Sequence, residues 1–507
     1  MPSSVNYADI QGLVRFGYGK MAEASYLLLN IKNVAAARRW LTSAPVSSAL
    51  EMKPPPTAAL QVAFTREGLE KLEIRPSVIA SFSSAFLSGM AGNDNRSRRL
   101  GDTGANSPQT WSWGGNGKVP HMIVMIFAES GLLDRWRKSI EGEFWELAFE
   151  EVEYLPTIVS DGREPFGFLD GISQPDLDWE LSRIPPINSD QLTYTNLVCL
   201  GEFLLGYRNE YGRFTDRPLL DSREPGCGDL IEAEDHQSKK DLGLNGTYLV
   251  VRQLEQDVHG FWRFLDKVAG SNRELRYKLA EALVGRTLSN GEPLTRMRRN
   301  PVQGVGSRGD ASERELDIKR NQFTFEMEGG PCPIGAHVRR ANPRNADVPG
   351  ENTTFISRVT HRFGFGHKDI YADLLASTRF HRLLRRGREY GKQLSPEEVL
   401  QPAPSTDSER GLHFVAINAN IERQFEFVQD AWMMGTKFGG LTDESDPLLG
   451  TRLAVPGCIS ADGFSLPQES GLCRHIPALP QFITVRGGAY FFMPSIRALA
   501  YIARNAT

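Results

Sequence analysis

Cysteine is scarce in this chain. Five residues among 507 (Cys199, Cys227, Cys332, Cys458 and Cys473) are odd in number, widely spaced and without a CxxC pair. That argues against a disulfide framework and favours reduced thiols in a reducing compartment. No stretch of about 18 apolar residues occurs, so no membrane span is expected. The N-terminal residues Met-Pro-Ser-Ser-Val-Asn-Tyr-Ala-Asp-Ile lack a basic segment followed by an apolar run, and a cytoplasmic location is expected. An excess of charge of one sign is missing too. A formal net charge of −4 gives no case for a nucleic-acid partner, and makes the arginine clusters local features that need local partners.

What is present is ordinary for a globular protein: 40% hydrophobic and 24% charged residues, in a length that suggests two to four compact units. The pattern predicts a strand over 24–31, an amphipathic helix over 34–41, a strand over 60–64, a helix over 66–72 opened by Thr65, a strand over 122–127 and a helix over about 132–144. Residues 101–120, rich in Gly, Ser, Asn and Trp, read as an exposed loop anchored by Trp111 and Trp113. A second series repeats the outline: strand 247–253, helices 261–268 and 274–284, strand 413–418, helix 421–432, and strand 489–493 preceded by Gly487 and Gly488, with a C-terminal helix after Pro494 and Ser495. This is the rhythm of α+β layers, helices on one face of an antiparallel sheet, present twice. The expected units are 1–200, an irregular insertion at 201–245, and 246–507.

Three stretches carry chemistry. Residues 331–344, Pro-Cys-Pro-Ile-Gly-Ala-His-Val-Arg-Arg-Ala-Asn-Pro-Arg, hold His337 at a fixed bend or on one short helical turn, because prolines and glycines interrupt regular structure on both sides. A rigid imidazole beside arginines suits a haem, with a ring nitrogen for iron and guanidinium forks for propionates; a hydrogen-bonded loop histidine is the other reading. Residues 166–175, Phe-Gly-Phe-Leu-Asp-Gly-Ile-Ser-Gln-Pro, fix Asp170 among Phe166, Phe168, Leu169 and Ile172. Asp170 is thus either an acid–base candidate or the aspartate of an Asx turn. Residues 380–391, Phe-His-Arg-Leu-Leu-Arg-Arg-Gly-Arg-Glu-Tyr-Gly, read either as a solvated basic helix end or as the source of an inward arginine facing a developing negative charge.

These three motifs, in this order, resemble the haem-site motifs of the dye-decolorizing peroxidases, and the segments 9–14, 201–207 and 419–432 resemble others found in the larger members of that family. The resemblance covers nearly the whole chain. It implies two ferredoxin-like domains, haem b bound by the C-terminal one, and reduction of hydrogen peroxide through an oxoferryl intermediate at the expense of dyes, phenols or other aromatic donors. Carried over by position, His337 becomes the axial iron ligand, Asp170 the distal acid–base and Arg385 the distal arginine, with Arg358 as a rival for the last role. Arg339 is the candidate propionate contact, and Ile172 a further cofactor contact. Glu389 departs from the family, many members having proline there. The axial histidine of the family usually has a carboxylate partner, for which Glu422, Glu426 and Asp430 are candidates. Tyr207 and Tyr211 are candidates for relaying electrons from large donors. A haem carrier or sensor would need the ligand and the propionate contacts, but not Asp170 and Arg385 together. The oligomeric state and the physiological reductant are not legible.

Overall fold

The computed structural model describes residues 4–115, 117–159, 161–183, 196–295, 320–321, 323, 325, 330–344, 378–395, 397–401, 407–452, 461–468 and 471–504. In the first half, β1 (Glu23–Ile31) leads to α1 (Val34–Ser43), whose cap Asn33 accepts the Ala36 N–H at 3.0 Å. Next come β2 (Ala58–Phe64), β3 (Met122–Ala128), α2 (Leu133–Glu141) and β4 (Phe149–Pro156). The strands lie antiparallel in the order β4-β1-β3-β2. Alternation along β1 feeds two cores: Leu27, Leu29 and Ile31 pack on one side of the sheet, Ala24, Tyr26 and Leu28 on the other.

The second half is built the same way. β5 (Thr247–Gln256) is followed by α3 (Val258–Ala269), capped by Asp257 through the Gly260 N–H, and by α4 (Arg273–Val284), capped by Asn272. After α5 (His337–Ala341) come β6 (Leu384–Arg385), β7 (Arg388–Tyr390), β8 (Gly411–Asn418), β9 (Ile483–Met493) and the C-terminal α6 (Ile496–Arg504). Their order is β9-β5-β8-β6, with β7 also on β8. Numbered within its own half, with β6 and β7 counted as one interrupted strand, each series reads 4-1-3-2, so the chain folds as two ferredoxin-like halves. Their sheets join edge to edge where β9 meets β2, Phe492 opposite Phe64.

Several local expectations are corrected. β4 has no counterpart in the predicted pattern, because this edge strand (Phe-Glu-Glu-Val-Glu-Tyr-Leu-Pro) is only partly buried and reads as polar. The stretch 384–390 forms strands on β8 instead of a basic helix end. The final strand does not start after Gly487 and Gly488 but runs through them with a bulge, because the Trp113 indole occupies the place of a side chain: a Cβ on Gly487 would lie 2.4 Å from its Nε1. Trp111 and Trp113 are accordingly buried, although their loop is polar in composition. The helix predicted over 421–432 is wound as π-helix, Glu422–Glu426 and Val428–Met434, a form that often marks functional sites. Within 201–245, Leu219–Asp221 pairs with Lys239–Asp241.

Candidate active site

α5 starts at His337 and is held by the next buried arginine but one. Arg340 donates to the carbonyls of Trp432 (2.7 Å), Gly435 (2.9 Å), Glu444 (2.7 Å) and Gly335 (3.3 Å), tying α5 to the π-helix and to the segment after it. On its other side α5 approaches α4 at Gly285, whose backbone is left-handed (φ +92°) and where a Cβ would stand 2.5 Å from Val338 Cγ2. The segment that Arg340 draws in carries Asp446, and its Oδ2 lies 3.0 Å from His337 Nδ1. Asp446 Oδ1 also accepts the N–H groups of Leu448 (2.9 Å) and Leu449 (2.8 Å). Burial pushes this carboxyl up, but the His337 ring and the hydrogen bonds prevail and hold it below the usual range. For His337 burial favours the neutral ring, yet the charge and hydrogen bond of Asp446 outweigh it and the net direction is upward. With Nδ1 engaged, Nε2 is the nitrogen available to the cavity that His337 lines.

That cavity also contains Asp170, Arg385 and Ile172 in its wall. Arg385 lies on β6, where its own N–H donates to Gln174 Oε1 at 2.9 Å, and its Nη1 donates to Asp170 Oδ1 at 2.5 Å. Burial pushes the Asp170 carboxyl up. The Arg385 guanidinium, the Gly171 N–H and the His337 ring pull the other way and prevail, so Asp170 is held below the usual carboxylate range. A second carboxylate, Glu164, lines the same cavity, and burial pushes it up to about 7 against the hydrogen bonds it accepts.

The remaining candidates separate. Arg339 is buried, donates to the Cys332 carbonyl at 2.9 Å and lies over the Phe325 ring, and it is not part of the cavity wall. Arg344, which no sequence signal distinguishes from its neighbours, does line the cavity, 4.1 Å over Phe323 and bonded to Ser173 Oγ at 3.1 Å. None of Glu422, Glu426 and Asp430 is the partner of His337: Glu422 accepts from Ser84, and Glu426 is engaged by Arg96 and Tyr490. Asp446 takes that place. It sits in an acidic turn, Asp443-Glu444-Ser445-Asp446, where nothing in the sequence marks it out from the other acids. Tyr207 is buried and donates to Asn245, whereas Tyr211 is exposed and stacks on Phe380 at 4.1 Å. Arg358 and Cys458 lie outside the described residues.

No family model matches the chain. Among curated proteins it is 27% identical over 521 residues to a dye-decolorizing peroxidase of Exidia glandulosa, covering 98% of this chain and 87% of that one. It is 28% identical, with the same coverage, to the dye-decolorizing peroxidase msp1 of Mycetinis scorodonius. Its fold matches the crystal structure of a decolorizing peroxidase from Auricularia auricula-judae with a TM-score of 0.69, at 23% identity, over 98% of this chain and 100% of that one. Over nearly its whole length the chain is similar to dye-decolorizing peroxidases. A dye-decolorizing peroxidase implies a haem cofactor, and the residues here fit one. The wall is mainly apolar, a ring nitrogen faces in from one side, and Arg286, Arg344 and Arg382 supply cations for carboxylates. Among the described residues no three His, Cys, Asp or Glu side chains are grouped to hold a metal ion by themselves, and no helix is long and apolar enough to cross a membrane.

Proposed function

We propose that this haem peroxidase binds haem b in the cavity between His337 and the Asp170–Arg385 pair, reduces hydrogen peroxide there, and takes electrons from dyes, phenols and other aromatic donors. The observation that carries this reading is the shared cavity. An imidazole backed by a buried carboxylate lines it together with an ionised aspartate bonded to an arginine.

When bound, haem supplies the iron at which peroxide is cleaved and the electrons for that cleavage. His337 Nε2 would hold the iron, and Asp446 would make it a stronger donor by accepting the Nδ1 proton. Asp170, held ionised, takes the proton from one peroxide oxygen and returns it to the other, which departs as water. Arg385 faces the negative charge that develops on the departing oxygen and fixes the carboxylate that serves it. Arg344, in place of Arg339, is positioned for a propionate, and Ile172 contributes apolar wall. A carrier or sensor has no use for the Asp170–Arg385 pair, so the enzyme is the preferred reading. Five widely spaced cysteines without a CxxC pair suit action in a reducing compartment such as the cytoplasm.

An absorption spectrum before and after one equivalent of hydrogen peroxide tests the proposal. We expect a Soret band that changes on addition and returns when a dye is supplied. Protein that takes up no haem, or a Soret band indifferent to peroxide, would sink it.

A further inference from the structure

Asp170 hangs from a small hairpin that two side chains brace, Arg163, whose Nη1 donates to the Gly167 carbonyl at 2.8 Å, and Glu164. The Asp170 N–H donates to the Gly162 carbonyl at 2.9 Å, Arg163 and Leu169 pair across the hairpin, and the Glu164 N–H donates to the Phe168 carbonyl at 2.9 Å. The Glu164 side chain then caps the turn from within. Oε1 accepts the Phe168 N–H at 2.9 Å, while Oε2 accepts the Phe166 N–H at 3.0 Å and the Gln256 amide on β5 at 2.7 Å. Three donors converge on one carboxylate, two from the turn that precedes Asp170 and one from the sheet behind it.

We propose that Glu164 is the positioning residue of the acid–base, its carboxylate fixing the turn on β5 so that Asp170 is presented to the cavity beside Arg385. Glu164 need not touch peroxide to do this. A glutamine in its place keeps the volume, but its NH₂ must confront at least one of the three donors, and the turn loosens.

The inference rests on Asp170 being the distal base, and a double-mutant cycle in the haem-loaded protein separates the two claims. The measurements are the stopped-flow rate with peroxide and the spectroscopic affinity for cyanide, which gives up a proton on binding and so reports on the base without turnover. Both are taken at about pH 8, above the value of about 7 to which burial pushes the Glu164 carboxyl. Glu164→Gln is expected to lower both by about tenfold, within the loss that a misplaced group causes. In an Asp170→Asn background the same change is expected to cost less than about twofold, since it acts only through the base. Gln256→Leu, which removes one donor and leaves Glu164 in place, should show a smaller loss with the same dependence on Asp170. An equal loss in both backgrounds, or none in the parent, overturns the role of Glu164. A peroxide rate that Asp170→Asn itself leaves unchanged overturns instead the reading of Asp170.

Discussion

His337 Nδ1 stands 3.0 Å from Oδ2 of a fully buried aspartate, Asp446, 109 residues away in the chain. A carboxylate in that position gives the opposite ring nitrogen more of the character of an anion, and with that nitrogen on the haem iron, as proposed above, would steady a high oxidation state of the metal.

Asp446→Asn removes the charge while keeping the shape. The reduction potential of the haem-loaded variant is expected to rise, and its rate with peroxide to fall on the order of 10- to 100-fold. Spectroelectrochemistry reads the first and stopped-flow absorbance the second; an unchanged potential would show that Asp446 serves packing alone.

Asp170→Asn should leave haem content and the Soret position close to the parent, because Asp170 is paired with Arg385 whereas His337 is held by Asp446. The peroxide reaction is expected to slow by on the order of 10²- to 10⁴-fold, the usual contribution of a positioned acid–base. A variant that reacts at the parent rate would remove Asp170 from the mechanism.

The pH profile follows from the direction in which Asp170 is shifted. The useful form is the carboxylate, present above its pKa, and the site holds that pKa below the ordinary value of about 3.9. Peroxide reactivity should therefore persist as pH falls through about 5 and decline only in strong acid. In Arg385→Leu burial is left without its largest counterweight, the carboxyl rises, and the acid limb should move to higher pH. Rate against pH for the two proteins checks this; coincident acid limbs would contradict it.

His413 gives a prediction about stability that is independent of haem. Buried and stacked on Tyr390 at 4.4 Å, it donates from Nε2 to the Pro156 carbonyl, and burial lowers its pKa to about 4. The unfolded chain takes up a proton near pH 6.5, the folded protein only near 4, so stability is lost as pH falls through that window. Between about pH 7 and 4.5 this group alone accounts for about 2 kcal/mol. His413→Gln, which can keep the bond to Pro156, should lose correspondingly less stability over that interval in urea titrations.

By itself the sequence determined most of the elements and singled out His337, Asp170 and Arg385 as candidates. Apolar periodicity, the Thr65 cap and glycine–proline punctuation are short-range signals. They located most strands and helices, the doubled α+β outline, and the bend that holds His337 and the turn that holds Asp170. Tertiary structure alone decided the partners. Asp446 could not be told from the acids around it, nor Arg344 from Arg339, and Glu164 gave no sign of the turn it closes. Such choices depend on which backbone a side chain meets after the sheet has formed. The Asp170–Arg385 contact spans 215 residues and exists only because β6 pairs with β8 while the hairpin leans on β5. Local preference carries no information over that distance; hydrogen-bond register and burial do.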